Sequence, residues 1–148
     1  MYLCRTNGTD IYTYVYNGGL LTQMTKGEDT LFFTYDSMGA PATVTHNGTV
    51  YFYLTNLQGD VVALIDADGN WIVEYAYDAW GNVWYIYDNS ATNLAELNPL
   101  AYRSYVYDHE TGLYYLQRRY YNPEIGRFIS ADAYASGDKG TVLLSLCP

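Results

Sequence analysis

The sequence repeats one short motif at a nearly constant spacing, and this repeat limits the folds open to the chain. The motif is an aromatic residue, any residue, a tyrosine, and then Asp or Asn. It occurs at Tyr14–Asn17, Phe33–Asp36, Tyr75–Asp78 and Tyr105–Asp108, with a degenerate copy at Tyr53–Asn56. The final positions are 17, 36, 56, 78 and 108, so the steps are 19, 20, 22 and 30 residues, and the first three steps form the period. Such a period is typical of repeat proteins, in which each unit buries its faces against its neighbours.

Each repeat unit is predicted to contain two strands and two turns. A glycine follows the Asp or Asn by three residues in four places, which are Asp36 with Gly39, Asn56 with Gly59, Asp66 with Gly69, and Asp78 with Gly81. Asp and Asn side chains bond the backbone ahead of them and Gly accepts positive φ, so these tetrads predict turns. The runs between the turns are rich in β-branched and aromatic residues, as in Leu31–Tyr35, Val61–Ile65 and Trp71–Tyr77.

The tyrosine content supports an all-β fold of successive antiparallel hairpins. The chain holds 19 tyrosines among 148 residues, and Lys and Glu, which favour helices, are scarce. In a strand, Trp71, Val73, Tyr75 and Tyr77 share one face, as do Tyr12, Tyr14 and Tyr16. Such ladders indicate a half-solvated sheet, with the ring bodies buried and the hydroxyls at water or a polar partner. The alternative is that the tyrosines are ordinary core residues of a sandwich.

Charge and hydropathy exclude two classes of function. With 16 acidic against 7 basic residues the formal charge is −9, which disfavours binding to nucleic acid. No apolar run reaches the length that spans a bilayer, and the first ten residues lack the pattern of an export signal. Cys4 and Cys147 stand at opposite ends and are interpreted as two free thiols.

No local motif indicates an enzyme, a metal site or a cofactor. Asp66–Asn70 begins like a calcium loop, but Trp71 and Tyr77 stand where an EF-hand needs glycine and glutamate, so a hairpin turn is favoured. His46 and His109 lie in polar, turn-like stretches without a recognisable nucleophile, and both are interpreted as surface residues.

The repeat rhythm breaks at residues 89–100 and a denser motif follows. Asn89 or Ser90 could cap a short helical turn near 90–97, which Asn98 and Pro99 would end. The stretch after it, residues 98–135, concentrates bases, tyrosines and turn residues. It resembles the repeat-associated core of the rearrangement-hotspot (Rhs), or YD-repeat, family. The core-motif residues are Tyr107, Asp108, Gly112, Tyr114, Tyr115, Arg119, Tyr120, Tyr121, Pro123, Gly126, Arg127 and Phe128.

The resemblance extends upstream and implies a function. The YD-repeat residues that match the family are Tyr16, Asn17, Tyr35, Asp36, Gly39, Asn56, Gly59, Tyr77, Asp78 and Gly81. Family members form a strip of β-hairpins that spirals into a shell around a C-terminal toxin, in bacterial polymorphic toxins and insecticidal toxin complexes. The resemblance therefore implies a non-catalytic shell segment whose partners are the rest of the shell and the toxin, in a secreted or bacterial cell-surface protein.

Some family members cut themselves with an aspartyl-protease-like core, and two positions match that site. Arg119 and Asp132 have the spacing of its arginine and first aspartate, but Ala133 stands where proline is expected and no second aspartate motif follows. Two carboxylates are needed to divide the acid and base roles, so self-cleavage is not expected. An ion-pair or backbone-positioning role is favoured for Arg119 and Arg127, with Glu110, Glu124 and Asp132 as the candidate partners.

The sequence thus predicts YD repeats over 1–88, a connector over 89–100, a core over 101–135 and an atypical, truncated tail over 136–148. Isolated repeats should form a curved open sheet whose edge strands favour self-association. The alternative function is a cell-surface carbohydrate- or protein-binding module that uses a tyrosine-lined sheet including Trp71 and Tyr75.

Overall fold

The computed structural model describes residues 2–7, 10–108, 112–116, 119–129 and 145–146. The strands are β1 (Tyr2–Asn7), β2 (Asp10–Asn17), β3 (Leu20–Lys26), β4 (Asp29–Tyr35), β5 (Pro41–His46), β6 (Thr49–Thr55), β7 (Val61–Ile65), β8 (Trp71–Tyr77), β9 (Val83–Asp88), β10 (Val106–Asp108), β11 (Leu113–Leu116), β12 (Arg119–Asn122), β13 (Arg127–Ile129) and β14 (Ser145–Leu146). A single helical turn, α1 (Leu94–Leu97), and a 3-10 turn, Tyr102–Ser104, separate β9 from β10. No helix among these residues has the length and apolar character needed to cross a membrane.

The first sheet is the predicted array of antiparallel hairpins. Strands β1 to β9 lie in chain order, and β14 pairs with the free side of β1. The sheet is open, because its ends do not pair with each other. Register shifts occur where β2, β4, β6, β7 and β8 end, and in each the extra residue lies near the start of the following strand, at Thr22, Ala42, Val62, Ile72 and Trp84. Such bulges bend a strand and increase its twist. The prediction of an all-β fold of successive antiparallel hairpins is confirmed.

The second sheet is a four-stranded antiparallel meander in the order β10, β11, β12, β13. It packs on one face of the first sheet, here called the inner face. One buried cluster joins Tyr14 and Val73 of the first sheet to Leu113 and Tyr120 of the second. The sequence motif of the core did not indicate this second layer.

The inner face corrects the interpretation of the tyrosines as half-solvated. The rings of Tyr12 and Tyr14 stack at 6.4 Å, and those of Tyr75 and Tyr77 at 6.2 Å, so the ladders exist. However, Tyr75 is only 5 % exposed and Tyr14 is equally buried. The alternative, tyrosines in the core of a two-layer structure, describes these residues, because the second sheet covers the face that a lone sheet would leave wet.

Two further sequence interpretations are wrong. His46 is 4 % exposed rather than on the surface, and its Nε2 lies 2.9 Å from Oδ1 of Asp29 across the β4–β5 hairpin. Cys4 is disulfide-bonded rather than free, and the chain's other cysteine, Cys147, lies outside the described residues. The pairing of β1 with β14 at Leu3 and Cys4 also had no signal in the sequence of the tail.

The predicted helical turn is present, and its capping is indirect. Asn93 precedes α1 in the left-handed conformation without a side-chain cap. The Ser90 hydroxyl accepts from the Leu94 amide at 2.8 Å, and Asp88 Oδ2 accepts from the Ala95 amide at 2.9 Å. Ser90 thus does satisfy a helix amide, as the sequence suggested, while Asn98 ends the helix.

Candidate functional site: the core segment on the repeat turns

Four turns between strands of the first sheet share the same hydrogen bonds, and we call them the marker turns. They are Asp36–Ala40, Asn56–Asp60, Asp66–Asn70 and Asp78–Asn82. In every copy Oδ1 of the first residue accepts from the backbone amides two and four residues ahead, at 2.8 to 3.0 Å. In every copy the glycine amide also donates to the first residue's carbonyl, at 3.1 to 3.2 Å.

The residue at the end of a marker turn adds a further bond in three of the four copies. Asn70 Nδ2 donates to Asp66 Oδ2 at 3.1 Å, and Asn82 Nδ2 donates to Asp78 Oδ2 at 2.8 Å. In the third copy the roles reverse, and Asn56 Nδ2 donates to Asp60 Oδ2. This reciprocal bond was missed in the sequence analysis, although a polar residue four positions after the Asp or Asn was visible there.

These bonds set the charge state of the acidic residues. Hydrogen bonds from the side chain and backbone of Asn70 lower the pKa of Asp66. Burial opposes the same effect at Asp78, yet hydrogen bonds from Asn82 and the turn amides still lower the pKa of Asp78. The carboxylates are therefore ionised and bonded within their own turns, which is a structural use of these groups.

The core segment, residues 101–129, binds the turn Asp78–Asn82 through three tyrosine hydroxyls. Tyr102, Tyr121 and Tyr114 donate to the successive carbonyls of Ala79, Trp80 and Gly81, at 3.3, 2.6 and 2.7 Å. In return, Asn82 Nδ2 donates to the Pro123 carbonyl at 3.0 Å. The Trp80 ring lies against Gly126. The turn is thus held by residues at least 23 positions away in sequence.

The turn Asn56–Asp60 is held by the start of the core segment. The Arg103 amide donates to Asp60 Oδ1 at 2.9 Å, and the Ser104 hydroxyl donates to the Gly59 carbonyl at 2.7 Å. Arg103 and Ser104 have φ values of 52° and 58°, a left-handed conformation that is unfavourable for residues other than Gly. Local strain is therefore accepted where the core segment meets the turn.

A tyrosine cluster fills the space behind these contacts. The Tyr102 ring stacks on Tyr121 with centroids 6.0 Å apart, and Tyr107 and Tyr114 lie 4.6 Å apart. Burial, reinforced by neighbouring tyrosines, raises the pKa of Tyr114 and Tyr77 well above the ordinary value. The hydroxyls are thus neutral donors, suited to backbone carbonyls.

An asparagine from the connector completes the interior. Asn98 is buried, and its Oδ1 accepts from the Tyr53 hydroxyl at 2.6 Å. Its Nδ2 donates to the Leu100 carbonyl at 2.8 Å and contacts the Tyr75 hydroxyl at 3.2 Å. The connector is therefore fixed to two strands of the repeat array.

The remaining motif residues identified in the sequence have structural positions near the core segment. Tyr16 and Tyr35 line a cavity of about 210 Å³ between the first sheet and Arg103, Val106 and Tyr115. Asn17 ends β2, and Asp108 accepts from the Gly112 amide at 2.9 Å. Tyr115 and Tyr120 pair across β11 and β12, and Arg127 pairs with Asn122.

Of the two residues that matched the family's self-cleavage site, Arg119 lies in the described structure and Asp132 lies outside it. The Arg119 guanidinium lies over the Phe128 ring, 4.3 Å from its centroid, in a cation–π contact. Asp132, Glu110 and His109 lie outside the described residues. The ion-pair assignments for Arg119 and Arg127 stay predictions.

Known proteins are similar to this chain over most of its length. The tRNA3(Ser)-specific nuclease WapA of Bacillus spizizenii is 37% identical over 138 residues, and the tRNA nuclease WapA of Bacillus subtilis is 36% identical over the same length. These matches cover 90% of this chain, but the chain spans only 6% of either relative. Similar solved structures include the TcdB2-TccC3-Cdc42 crystal structure, with a TM-score of 0.66 and 19% identity, covering 95% of this chain and 7% of that one.

A second solved structure has the same fold. The Photorhabdus luminescens Tc holotoxin pore carrying TccC3-D651A matches with a TM-score of 0.64 and 20% identity, over 93% of this chain and 7% of that one. The family model for the teneurin YD-shell matches residues 11–141, which include all four marker turns and the core segment. The chain therefore belongs to the teneurin YD-shell family.

Proposed function

We propose that this chain is a non-catalytic segment of the wall of an Rhs-type shell that encloses or presents a C-terminal toxin. The observation that carries the proposal is the use of the motif residues. The Asp and Asn side chains of the marker turns bond their own turns, and the core tyrosines bond the carbonyls of those turns. Groups committed in this way stabilise a scaffold and are not positioned to transform a substrate.

The proposal assigns a role to each part of the chain. Residues 1–88 are the wall, 89–100 the connector, 101–135 the core that lines the wall, and 136–148 an appended tail. The core-motif residues Tyr114, Tyr121 and Pro123 act by holding the turn Asp78–Asn82. The remainder of the shell and a toxin are the expected partners, since the relatives named as nucleases are far longer than this chain.

A secreted or cell-surface location accompanies this function. Disulfides persist mainly in oxidising compartments, and Cys4 is disulfide-bonded. Mass analysis of the protein isolated from its native host, with and without reductant, tests the location through the oxidation state of Cys4.

The shell function is tested by a segment exchange. The test uses a Bacillus subtilis WapA in which a fluorescent protein takes the place of the nuclease region. In that protein, the present chain is then exchanged for the matching 138-residue segment. We expect the reporter to resist protease as it does in the unexchanged protein. A reporter that is digested as fast as free fluorescent protein, in an exchanged protein that still folds, would contradict the proposal.

The exchange has a matched pair of controls. Tyr114→Phe removes a hydroxyl that bonds the Gly81 carbonyl, whereas Tyr87→Phe removes an exposed hydroxyl on β9. We expect the first substitution to increase digestion of the reporter and the second to leave it unchanged.

The intact mass of the purified chain is also followed over time. A shorter product that disappears in Asp132→Asn would show self-cleavage instead.

A surface binding module is the second candidate, and the outer face of the first sheet favours it. Phe52 pairs with Ile65, which pairs with Trp71, and both Phe52 and Trp71 are exposed. The register shift at Ile72 separates Trp71 from the face of Val73 and Tyr75, so the prediction that these residues share one face is wrong for Trp71. Exposed aromatic rings stack on sugars or apolar side chains. The test is glycan-array binding that is lost on Trp71→Ala. Tyr75→Ala is not informative, because Tyr75 is buried.

A further inference from the structure

A cavity lies between the first sheet and the start of the core segment, and the proposed function assigns it no role. Its volume is about 210 Å³, and all the residues that line it belong to the described part of the chain. Tyrosine rings and aliphatic side chains form most of its wall, among them Tyr16, Tyr35, Tyr115, Leu21 and Leu100. An apolar cavity of roughly 150 Å³ accommodates benzene. This cavity is therefore large enough for one aromatic ring with a short substituent.

Arg103 is the one charged residue among the described residues that line the cavity. Its guanidinium lies over the Tyr102 ring, 5.3 Å from the centroid. Interactions with Tyr102 and Tyr105 raise the pKa of Arg103, so the group is a permanent cation. Asp60 accepts from the Arg103 amide with Oδ1 and from Asn56 Nδ2 with Oδ2, so both of its oxygens bond other groups. In a chain with a formal charge of −9, the cavity is thus a local cationic site that favours an anionic ligand.

The backbone that carries this guanidinium is fixed in an unfavourable conformation. Arg103 and Ser104 have φ values of 52° and 58°, in the left-handed region that residues other than Gly rarely adopt. The Arg103 amide and the Ser104 hydroxyl hold this conformation through their bonds to the turn Asn56–Asp60. Strained residues of this kind are concentrated at ligand-binding and active sites. Because the turn already fixes the backbone at Arg103, ligand binding does not have to order it.

The tyrosines of the wall are compatible with an anion. Burial raises the pKa of Tyr16 and Tyr35 well above the ordinary value, so both hydroxyls are neutral and add no negative charge. The Tyr35 hydroxyl donates to the Leu21 carbonyl at 2.6 Å, which fixes that ring. Leu20 and Arg103 line the cavity and are exposed, so a ligand can enter it from solvent.

We propose that this cavity binds a small aromatic carboxylate, whose ring lies against Tyr16 and Tyr115 and whose carboxylate bonds the Arg103 guanidinium. The planar guanidinium matches the two oxygens of a carboxylate. Aromatic rings pack favourably edge to face, and the Tyr16 and Tyr115 rings already do so with centroids 6.1 Å apart. The inference does not rest on the proposed shell function, because it uses only groups of the isolated chain.

The test is a titration of the purified full chain with phenylacetate and with its neutral analogue phenylacetamide, followed by calorimetry and by NMR of the backbone amides. We expect phenylacetate to bind saturably, with a Kd at least about tenfold lower than that of phenylacetamide. The amides of Gly19 and Gly39, which line the cavity, should shift. The amide of Gly69, in the marker turn Asp66–Asn70, should not.

Two arginines provide a matched pair of variants. Arg103→Gln should remove the preference for phenylacetate, whereas Arg127→Gln, at an exposed arginine of β13, should leave both Kd values unchanged. Circular dichroism checks that each variant folds, and the comparison of the two ligands in the parent chain needs no variant.

Three results would overturn the inference. They are the absence of saturable phenylacetate binding, equal affinity for the two ligands, and a preference for phenylacetate that survives Arg103→Gln. Amide shifts at Gly69 without shifts at Gly39 would also overturn it, since the ligand would then bind elsewhere.

Discussion

The repeat array and the core segment differ in how far their hydrogen bonds reach along the chain. A marker turn is closed by groups within four residues of each other, as in Asp66–Asn70. The core segment instead places its polar groups 23 to 45 positions away, on carbonyls or carboxylates of two marker turns. The marker turns are closed by their own residues, whereas the core segment is positioned by contacts with distant turns.

Side chains or backbone groups of the core segment bond the turns at Asn56 and Asp78, and the cavity lined by Tyr16 and Tyr35 also includes Gly39 of the turn at Asp36. Among the described residues, the turn Asp66–Asn70 has none of these contacts. The turns at Asp36, Asn56 and Asp78 follow β4, β6 and β8 and so lie at one end of the sheet. Asp66–Asn70 follows β7 and lies at the other end. This makes Asp66–Asn70 an internal reference, because it has the same local bonds without contacts from the described residues of the core segment.

The largest expected effect tests whether the two regions unfold together. Burial raises the pKa of Tyr53 and Tyr75 in the array and of Tyr114 in the core segment. Folding thus favours the neutral hydroxyls, so their stabilisation is complete below about pH 10 and is lost as pH rises above it, where the unfolded chain ionises first. We expect one cooperative alkaline unfolding transition, followed by circular dichroism and tyrosinate absorbance. Two separate transitions would mean that the core segment detaches by itself.

The second-largest effect on stability is expected from adding one methyl group at the glycine of two marker turns. A Cβ at Gly81 would lie 2.6 Å from the Tyr102 ring, whereas a Cβ at Gly69 would meet nothing within 4 Å. Both glycines have a positive φ, of 100° and 87°. Gly81→Ala should lower the free energy of unfolding by about 2 to 5 kcal/mol and Gly69→Ala by about 1 to 2 kcal/mol, measured by urea denaturation. Equal losses would show that Tyr102 does not pack against the turn.

A smaller effect is expected from single hydroxyls. Tyr114→Phe leaves the Gly81 carbonyl without its 2.7 Å donor in a buried setting and should cost about 1 to 3 kcal/mol of unfolding free energy. Tyr87→Phe, on an exposed side chain, should change it by less than about 0.5 kcal/mol. Urea denaturation curves of the two variants and the parent protein measure these changes in unfolding free energy. If Tyr114→Phe leaves the unfolding free energy unchanged, the hydroxyl bond to the Gly81 carbonyl does not stabilise the fold.

The smallest expected effect is a local loss of stability at acidic pH. Because hydrogen bonds lower the pKa of Asp66 and Asp78 in the fold, their stabilisation is present above the unfolded pKa of about 3.9 and is lost as pH falls through the folded value. On acidification, amide exchange should rise first in Asp66–Asn70, which lacks the three tyrosine donors. Asp66→Asn keeps the acceptor oxygen, as Asn56 does naturally, and should abolish this pH response.

Much of the first sheet could be predicted, because its information is local. The bounds predicted for Val61–Ile65 and Trp71–Tyr77 match β7 and β8, and the turn at Asp66 was preferred over a calcium loop for reasons that its hydrogen bonds bear out. A period-two pattern fixes which residues share a face. It does not fix whether that face meets water or another sheet, and for this reason the burial of Tyr75 was predicted wrongly.

The sequence by itself determined the hairpins, their turns and the family, because turn chemistry and strand alternation act over a few residues. Only the tertiary structure decided that Tyr102, Tyr114 and Tyr121 reach three successive carbonyls of one turn, that His46 is buried beside Asp29, and that a second sheet covers the inner face of the first. These features depend on which distant segments meet. A tyrosine has the same local preference whether its hydroxyl ends at water or at a buried carbonyl, so packing alone assigns its partner.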